Sequence, residues 1–223
     1  MGRLFRPDSP VMRFMSNVAD IVALNLVWLV CCLPIVTIGP ACTAMCYVAR
    51  GIAKGEGPVI LRTFFRAFRE NFRQSLAVFL ILLVPVCLAA AYLLMAVSGG
   101  LDHIPVLKYL CYLSMVIVSV VCSYVYPLLA HFDNTVGNTL KNAFLLPLAN
   151  PFLAAVAAAL NLLPVLLLII NAGMFARCVI FWLLGGCALT AVINAKMLGP
   201  FFARMTPREQ PADEEDISGT DLR

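Results

Sequence analysis

Charge is scarce in this chain of 223 residues: 13% of the residues are Asp, Glu, Lys or Arg, while 62% are hydrophobic. Soluble globular domains usually carry charge on about a quarter of their residues. A soluble domain is therefore excluded for most of the chain. Stretches without any charged residue cover 21–49, 74–101, 109–130, 142–176 and 178–195. Each reaches the roughly 18 residues that indicate a membrane-spanning helix.

Clustered metal ligands and acid–base groups are also missing. The chain has 2 histidines, and its 9 cysteines lie within or at the edge of apolar runs. A structural zinc site usually needs four ligands close together, so the cysteines are interpreted as small packing residues. We expect no metal, no cofactor and no enzymatic activity. The net charge of +4 is modest, and the basic residues flank apolar runs. That placement favours anionic lipid headgroups over nucleic acid as the partner.

The run 21–49 could cross a membrane once or twice. Pro34 and the pair Gly39-Pro40 interrupt it, and proline commonly occupies the first turn of a new helix. Two crossings would place the outward half at 14–33 and the inward half at 40–54. The inward half has about 15 residues, or about 22 Å of helix, which is short for a hydrocarbon core of about 30 Å.

The distribution of basic residues favours two crossings there and six in total. With six crossings and both termini in the cytosol, all but two of the 16 Lys and Arg residues, Lys108 and Arg177, face the cytosol. Excess positive charge on the cytosolic side is a strong orientation signal.

The sequence therefore predicts an all-α polytopic helical membrane protein, with six membrane-embedded helices in three hairpins plus cytosolic amphipathic helices. They would form a single transmembrane domain over 1–204, followed by a disordered acidic tail at 205–223. The predicted spans are about 14–33, 40–54, 74–98, 105–130, 150–171 and 177–199.

The segment 58–73 has the most regular pattern. Apolar residues recur there at helical spacing, and arginines repeat the same spacing one position later, about 100° around the helix. The pattern predicts an amphipathic helix in the headgroup plane, with aromatic rings in the acyl boundary and guanidinium groups on phosphates. Docking of an acidic partner protein is the alternative. The two stripes comprise Leu61, Phe65, Phe68 and Phe72, and Arg62, Arg66, Arg69 and Arg73.

A second cytosolic helix is predicted after His131. Asp133 is placed to cap a helix that begins at about Asn134. Amides on one face suggest contact with a protein rather than with lipid, since a lipid-binding face favours Lys and Arg. That polar, partner-docking face comprises Asn134, Asn138, Lys141 and Asn142, and the apolar face comprises Val136, Leu140 and Phe144.

Few polar side chains lie inside the predicted spans. Asp20 and Lys196 would share a depth in the six-span arrangement, so we expect an ion pair that joins the first and last helices, because an unpaired charge there is costly. Separate extension of each side chain to the interface is the alternative. The amides Asn25, Asn161, Asn171 and Asn194 would either line a substrate path or form interhelical hydrogen bonds.

Four blocks resemble one family of proteins: RLFRPDSPVMRF at 3–14, LPIVTIGP at 33–40, FFRAFRENF at 64–72 and YPLLAHFDNT at 126–135. They are similar to the YesL-like family of bacterial membrane proteins, a domain of unknown function. The resemblance implies a bacterial plasma-membrane protein, often encoded beside carbohydrate ABC importers, sensor kinases and polysaccharide-degrading enzymes. It implies no catalytic residue.

Two functions are therefore weighed. The first is an accessory or scaffold membrane protein that works with a carbohydrate ABC importer or a sensor kinase. The alternative is a small transporter or channel, in some cases as a homo-oligomer, in which the asparagines within the spans line the path.

Overall fold

The structure is a computed structural model that describes residues 10–97, 105–132, 135–170 and 172–203. Within these residues all regular structure is helical, and nine α-helices are joined by a 3-10 turn at Ile35–Thr37 and a π-helical segment at Trp182–Gly186. The α-helices are α1 (Pro10–Cys31), α2 (Ile38–Lys54), α3 (Ile60–Glu70), α4 (Phe72–Val97), α5 (Pro105–Leu129), α6 (Val136–Ala149), α7 (Pro151–Ile170), α8 (Ala172–Phe181) and α9 (Cys187–Ala203).

Helix α2 is the centre of the molecule and packs against α1, α3, α4, α5 and α9. Its buried side chains are mostly small, among them Ala41, Ala44 and Ala49, each fully buried. Small residues let neighbouring helix backbones approach closely. The approach is closest at Gly39, where an added Cβ would lie 2.6 Å from Cβ of Phe79 and 2.7 Å from the carbonyl oxygen of Ser75.

Helix α2 is also longer than the expected 40–54. The 3-10 turn and the helix together form a continuous apolar stretch over Ile35–Lys54 of 20 residues, or about 30 Å if fully α-helical. The hydroxyl of Thr37 closes the preceding turn by donating to the carbonyls of Cys31 at 2.6 Å and Pro34 at 2.7 Å. The helix ends at Gly55, whose φ of 75° is left-handed and suits glycine.

Helix α1 is joined to the last helices by one side chain. The amide nitrogen of Asn25 donates to the carbonyls of Trp182 at 3.1 Å and Leu183 at 2.7 Å, and its oxygen accepts from the backbone N–H of Ala188 at 3.0 Å. These backbone groups belong to the π-helical segment and the first turn of α9. A side chain inserted into the hydrogen-bond ladder is a known cause of such irregularity.

Four helical stretches are long and apolar enough to cross a membrane, and the bent pair α6–α7 makes a fifth if it counts as one span. The bend between α6 and α7 is 113°, and the apolar part of α1, Met15–Cys31, is shorter than the other spans. The described part of the chain is thus all-helical and carries four or five candidate membrane spans, as expected for a membrane protein. The four long stretches are Ile35–Lys54, Phe72–Tyr92, Tyr109–Leu129 and Ala176–Ala203.

The segment 58–73 forms two helices instead of one. Helix α3 ends at Glu70, and Asn71 departs from helical geometry with φ −96° and ψ 3° while its side chain donates to the carbonyl of Ala67 at 3.1 Å. Phe72 and Arg73 therefore belong to the start of α4. Local bonding of an asparagine side chain to the backbone competes with helix continuation, which explains the break.

Candidate functional site

A cavity of about 220 Å³ lies between α1, α2, α5, α7, the π-helical segment and α9. We call it the polar cavity, because it combines aromatic walls with hydroxyl and amide groups. Its lining contains no Asp, Glu, Lys, Arg or His among the described residues. The lining side chains that carry polar atoms include Trp28, Ser123, Tyr126, Asn161, Trp182 and Asn194.

Three helices are connected by hydrogen bonds at the wall of the polar cavity. Asn194 of α9 donates to the side-chain oxygen of Asn161 of α7 at 3.3 Å, and Asn161 donates to the hydroxyl of Ser123 of α5 at 2.8 Å. Ser123 in turn donates to the carbonyl of Ser119 at 2.8 Å. All the donors point in one direction, so the chain of bonds leaves an acceptor, the Asn194 side-chain oxygen, at its end.

Three buried polar atoms, all in residues that line the cavity, have no hydrogen-bond partner among the described residues. They are the Asn194 side-chain oxygen and the indole nitrogens of Trp182 and Trp28. Asn194 is 5% exposed and Trp182 is 8% exposed. The Trp28 nitrogen lies beside the thiol of Cys42, which is a weak acceptor. Buried polar groups without a partner are rare and costly, so this wall is prepared for a hydrogen-bonding molecule.

Trp182 is held in place by its own helix. A Cβ added at Gly186, one turn later, would lie 2.5 Å from the Trp182 ring. Glycine at this position therefore lets the indole lie flat against the π-helical segment. Asn25 holds the same segment from the other side through the carbonyl of Trp182.

A narrow cavity of about 20 Å³, here called the neck, adjoins the polar cavity and shares Cys46, Pro127 and Ala191 with it. Beyond the neck lies a cavity of about 530 Å³ that shares Arg50 and His131 with the neck. We call this outer cavity the basic vestibule. Its charged or titratable lining residues are Arg50, Lys54, His131 and Lys196.

Arg50 and His131 meet where the neck joins the basic vestibule. A guanidinium nitrogen of Arg50 lies 2.7 Å from Nδ1 of His131 and donates to the carbonyl of Ala130 at 3.4 Å. Desolvation, followed by the charges of Arg50 and Lys54, lowers the pKa of His131. A neutral His131 accepts the Arg50 proton on Nδ1, so the imidazole carries its own proton on Nε2.

The polar residues predicted inside the spans take different positions. Asn161 and Asn194 line the polar cavity, whereas Asn25 bonds to helix backbone, and Asn171 lies outside the described residues. Helices α1 and α9 do pack together. Among the described residues, however, the ion pair within 4.0 Å joins Lys54 to Glu56, and none joins Asp20 to Lys196.

The face of α3 that packs on the protein differs from the predicted apolar stripe. Phe64 is fully buried and Phe68 packs beside it on the core around α2. Leu61 and Phe65 are exposed, at 58% and 44%. The helix therefore buries one apolar face in protein and presents a second apolar face outside. All four predicted arginines are exposed: Arg62, Arg66, Arg69 and, in α4, Arg73.

Helix α6 begins at Val136, after the extended Thr135, so it starts two residues later than predicted. Asp133 and Asn134 lie outside the described residues. Asn138 and Lys141 are exposed and Asn142 is half-buried. Phe144, expected on the apolar face with Val136 and Leu140, is instead 55% exposed. The buried face of the helix consists of Thr139, Ala143, Leu146 and Pro147.

Several residues of the site were not found from the sequence. Trp28, Trp182 and Ser123 give no periodic or motif signal, and the role of Arg50 was read only as a contribution to the positive side. One available signal was that both tryptophans of the chain fall inside apolar runs. No group of three or more His, Cys, Asp or Glu that could hold a metal ion occurs among the described residues.

Comparison with known proteins gives a family but no activity. Residues 21–93 match a family model described as a protein of unknown function, DUF624. The chain is also 32% identical, over 153 residues, to "Uncharacterized protein YesL" of Bacillus subtilis (strain 168), an alignment that covers 66% of this chain and 70% of that protein. No solved structure matches. The chain belongs to the YesL-like family of proteins of unknown function.

Proposed function

We propose that the chain crosses the bacterial plasma membrane six times, in three hairpins, with both termini in the cytosol. The sorting of basic residues to one side supports this arrangement. So does the 113° bend between α6 and α7, because it would let α6 lie along the surface while α7 crosses. Reporters fused to each terminus test it: signals from opposite sides of the membrane would refute it.

Within this arrangement the chain acts as an accessory or scaffold protein. The observation that carries the proposal is the outer face of α6, where Asn138 and Lys141 stand exposed beside Phe144. A mixed polar and aromatic surface is typical of a protein interface. The family resemblance makes a carbohydrate ABC importer subunit or a sensor kinase the expected partner.

Site-specific cross-linking in native membranes tests this docking. A photo-reactive residue at Lys141 should yield a discrete adduct with a membrane-transport or kinase subunit, identified by mass spectrometry. The matched control is the same residue at Leu88 in α4, which is 67% exposed within an apolar span and should yield lipid adducts. Equal protein adducts from both positions, or none from Lys141, would count against the proposal.

A transporter or channel is the second candidate, and the alignment of polar cavity, neck and basic vestibule favours it. Substrate sites of many transporters lie near mid-membrane between helices with broken segments. Reconstituted flux should then fall at least tenfold in Asn161→Leu and remain unchanged in Asn17→Leu, whose side chain is exposed on α1 and does not line the cavity. Unchanged flux in Asn161→Leu would exclude the polar cavity as the transport path. Size determination in the same membranes shows whether a homo-oligomer forms.

Anionic lipid is the proposed partner of α3. Exposed Arg62, Arg66 and Arg69 lie beside exposed Leu61 and Phe65, as an interfacial helix requires. Mass spectrometry of the purified chain should show retained anionic phospholipid that is reduced when the three arginines are replaced by Gln. If the variant retains as much anionic phospholipid as the unchanged chain, the arginines bind a protein partner instead of lipid.

A further inference from the structure

We propose that the polar cavity binds a small uncharged molecule that carries several hydroxyl groups on a carbon skeleton. This inference concerns binding alone and holds for either function proposed above. It rests on the lining of the cavity, on two nearly fully buried polar atoms without partners, and on the volume available.

The lining excludes charged ligands. The described side chains around the cavity include no ionisable acid or base apart from thiols and the phenol of Tyr126. Moving an ion from water into such surroundings is costly unless an opposite charge or several strong dipoles replace its hydration. The charged groups of this region, Arg50, Lys54 and Lys196, lie instead around the basic vestibule, and Arg50 also lines the neck.

The unpartnered atoms specify the ligand's polar groups. The indole N–H of Trp182 needs an acceptor, and the side-chain oxygen of Asn194 needs a donor. A hydroxyl group is donor and acceptor at once, so a molecule with two or more hydroxyls satisfies both atoms. A ketone or ether would leave Asn194 unsatisfied because it has no donor, and an ammonium group would leave Trp182 unsatisfied because it has no acceptor.

The volume and the apolar walls separate such a molecule from water alone. A cavity of about 220 Å³ has room for several waters, because a water occupies about 30 Å³ of the liquid. Each buried water needs two to four polar partners, and much of this wall is apolar, including Pro127, Leu160 and Pro164. A carbon skeleton contacts those surfaces favourably, while its hydroxyls reach the amide and the indole.

The chain carries its own reporter of this binding. Its 2 tryptophans, Trp28 and Trp182, both line the polar cavity, so all of the intrinsic tryptophan fluorescence comes from this site. The full chain in detergent would be titrated with glycerol, xylitol and glucose. Gluconate serves as the anionic comparison and benzene as the apolar one. At least one neutral polyol should change the emission saturably, and gluconate and benzene should not.

Variants assign the binding to the two unpartnered atoms. Asn194→Leu should weaken polyol binding at least tenfold, and Asn17→Leu, at an exposed position of α1 outside the cavity lining, should leave it unchanged. Trp182→Phe keeps an aromatic ring and removes the N–H, and Trp28 then remains as the reporter. This second variant should weaken polyol binding about fivefold, which corresponds to one neutral hydrogen bond. It keeps the proposal testable if Asn194→Leu does not fold.

Three outcomes would overturn the proposal. They are no saturable response to any polyol, an equal response to benzene or gluconate, and unchanged polyol binding in Trp182→Phe. A cavity that holds water only would give the first outcome. Polyol binding without flux would refute transport and leave this site intact, whereas flux without polyol binding would refute only this site.

Discussion

Helices α2 and α4 are both long and apolar enough to cross a membrane, yet their surroundings differ. In the most apolar 18-residue stretch of each span, 50% of the residues are buried in protein for α2, against 22% for α4. Helix α2 is also the less apolar of the two. Protein neighbours replace lipid around α2, so that helix can hold Gly39, Thr43 and Arg50, whereas α4 exposes leucines such as Leu80 and Leu88.

The comparison shows that the more hydrophobic of these two helices is the less important for the fold. A helix facing lipid must be apolar and tolerates changes of side-chain shape. A helix facing protein is restricted by packing, and its polar groups find partners. Substitutions in α2 should therefore cost far more than substitutions of similar size in α4.

The largest effect is expected at Gly39. Gly39→Ala would place a methyl group 2.6 Å from Cβ of Phe79 and 2.7 Å from the Ser75 carbonyl, so α2 and α4 must separate. The free energy of unfolding should fall by about 3 kcal/mol, measured as a loss of Tm in detergent.

The matched control for that variant is Gly199→Ala in α9. Nothing lies within 4 Å of an added Cβ there, and alanine is the better helix former by about 0.5–1 kcal/mol. Its Tm should stay level or rise. Equal losses from the two glycines would show that α2 is not packed as tightly as the structure has it.

Asn25→Leu should lower the free energy of unfolding by about 2 kcal/mol, because three hydrogen bonds to the last helices are lost and each contributes a fraction of that within a membrane. Thermal unfolding measures the loss. Asn138→Leu is the surface control and should change Tm little. Stability unaffected by Asn25→Leu would mean that the π-helical segment closes its own backbone bonds.

The hydroxyls of Ser75 and Thr43 connect α4 to α2 at 2.8 Å, and both residues are fully buried. Ser75→Ala and Thr43→Val should each cost about 1 kcal/mol. A double-mutant cycle should give a coupling energy of similar size. If the two single effects are additive, Ser75 and Thr43 do not interact, and the proposed polar link between α2 and α4 is wrong.

A smaller, pH-dependent effect is expected at His131, which follows α5 and contacts Arg50 of α2. The folded state lowers the pKa of His131 through desolvation and the charges of Arg50 and Lys54. The contribution of neutral His131 to the free energy of unfolding is full above the ordinary pKa of about 6.5. It declines as the pH falls below that value, because the unfolded chain takes up a proton before the folded chain does. His131→Gln should flatten the dependence of Tm on pH in that range; an identical profile would assign it to other groups.

The smallest effect is expected on the exposed apolar face of α4. Leu88→Ala removes a side chain that is 67% exposed, and in detergent its loss should change the free energy of unfolding by no more than about 0.5 kcal/mol. Chemical unfolding curves measure this. A loss comparable to that of Gly39→Ala would place a protein contact on this face.

The sequence was sufficient for the helical class and for the presence of several apolar stretches long enough to span a membrane. It was not sufficient for the assignment of the asparagines. Asn25 and Asn161 look alike in the sequence. Only the packing register between distant helices determines that Asn25 bonds to helix backbone while Asn161 lines the polar cavity. The length of α2 was underestimated because Pro40 was taken as its start, whereas proline is tolerated within the first turn.

The face of α3 shows a second limit of periodicity. Adjacent Phe64 and Phe65 end up in different environments, one fully buried against protein and one exposed. A helix between protein and lipid has two apolar faces, so spacing alone does not say which face meets which.

The side chain of Asn25 also sets an order on biogenesis. Its carbonyl partners lie 157 and 158 positions further along the chain, and the N–H that it accepts lies 163 positions further. During synthesis the Asn25 side chain therefore lacks these three partners until residues 182–188 have been made. A chain truncated before Trp182 lacks all three of these partners, and its first helix then carries a buried-type amide that nothing in the last helices can satisfy.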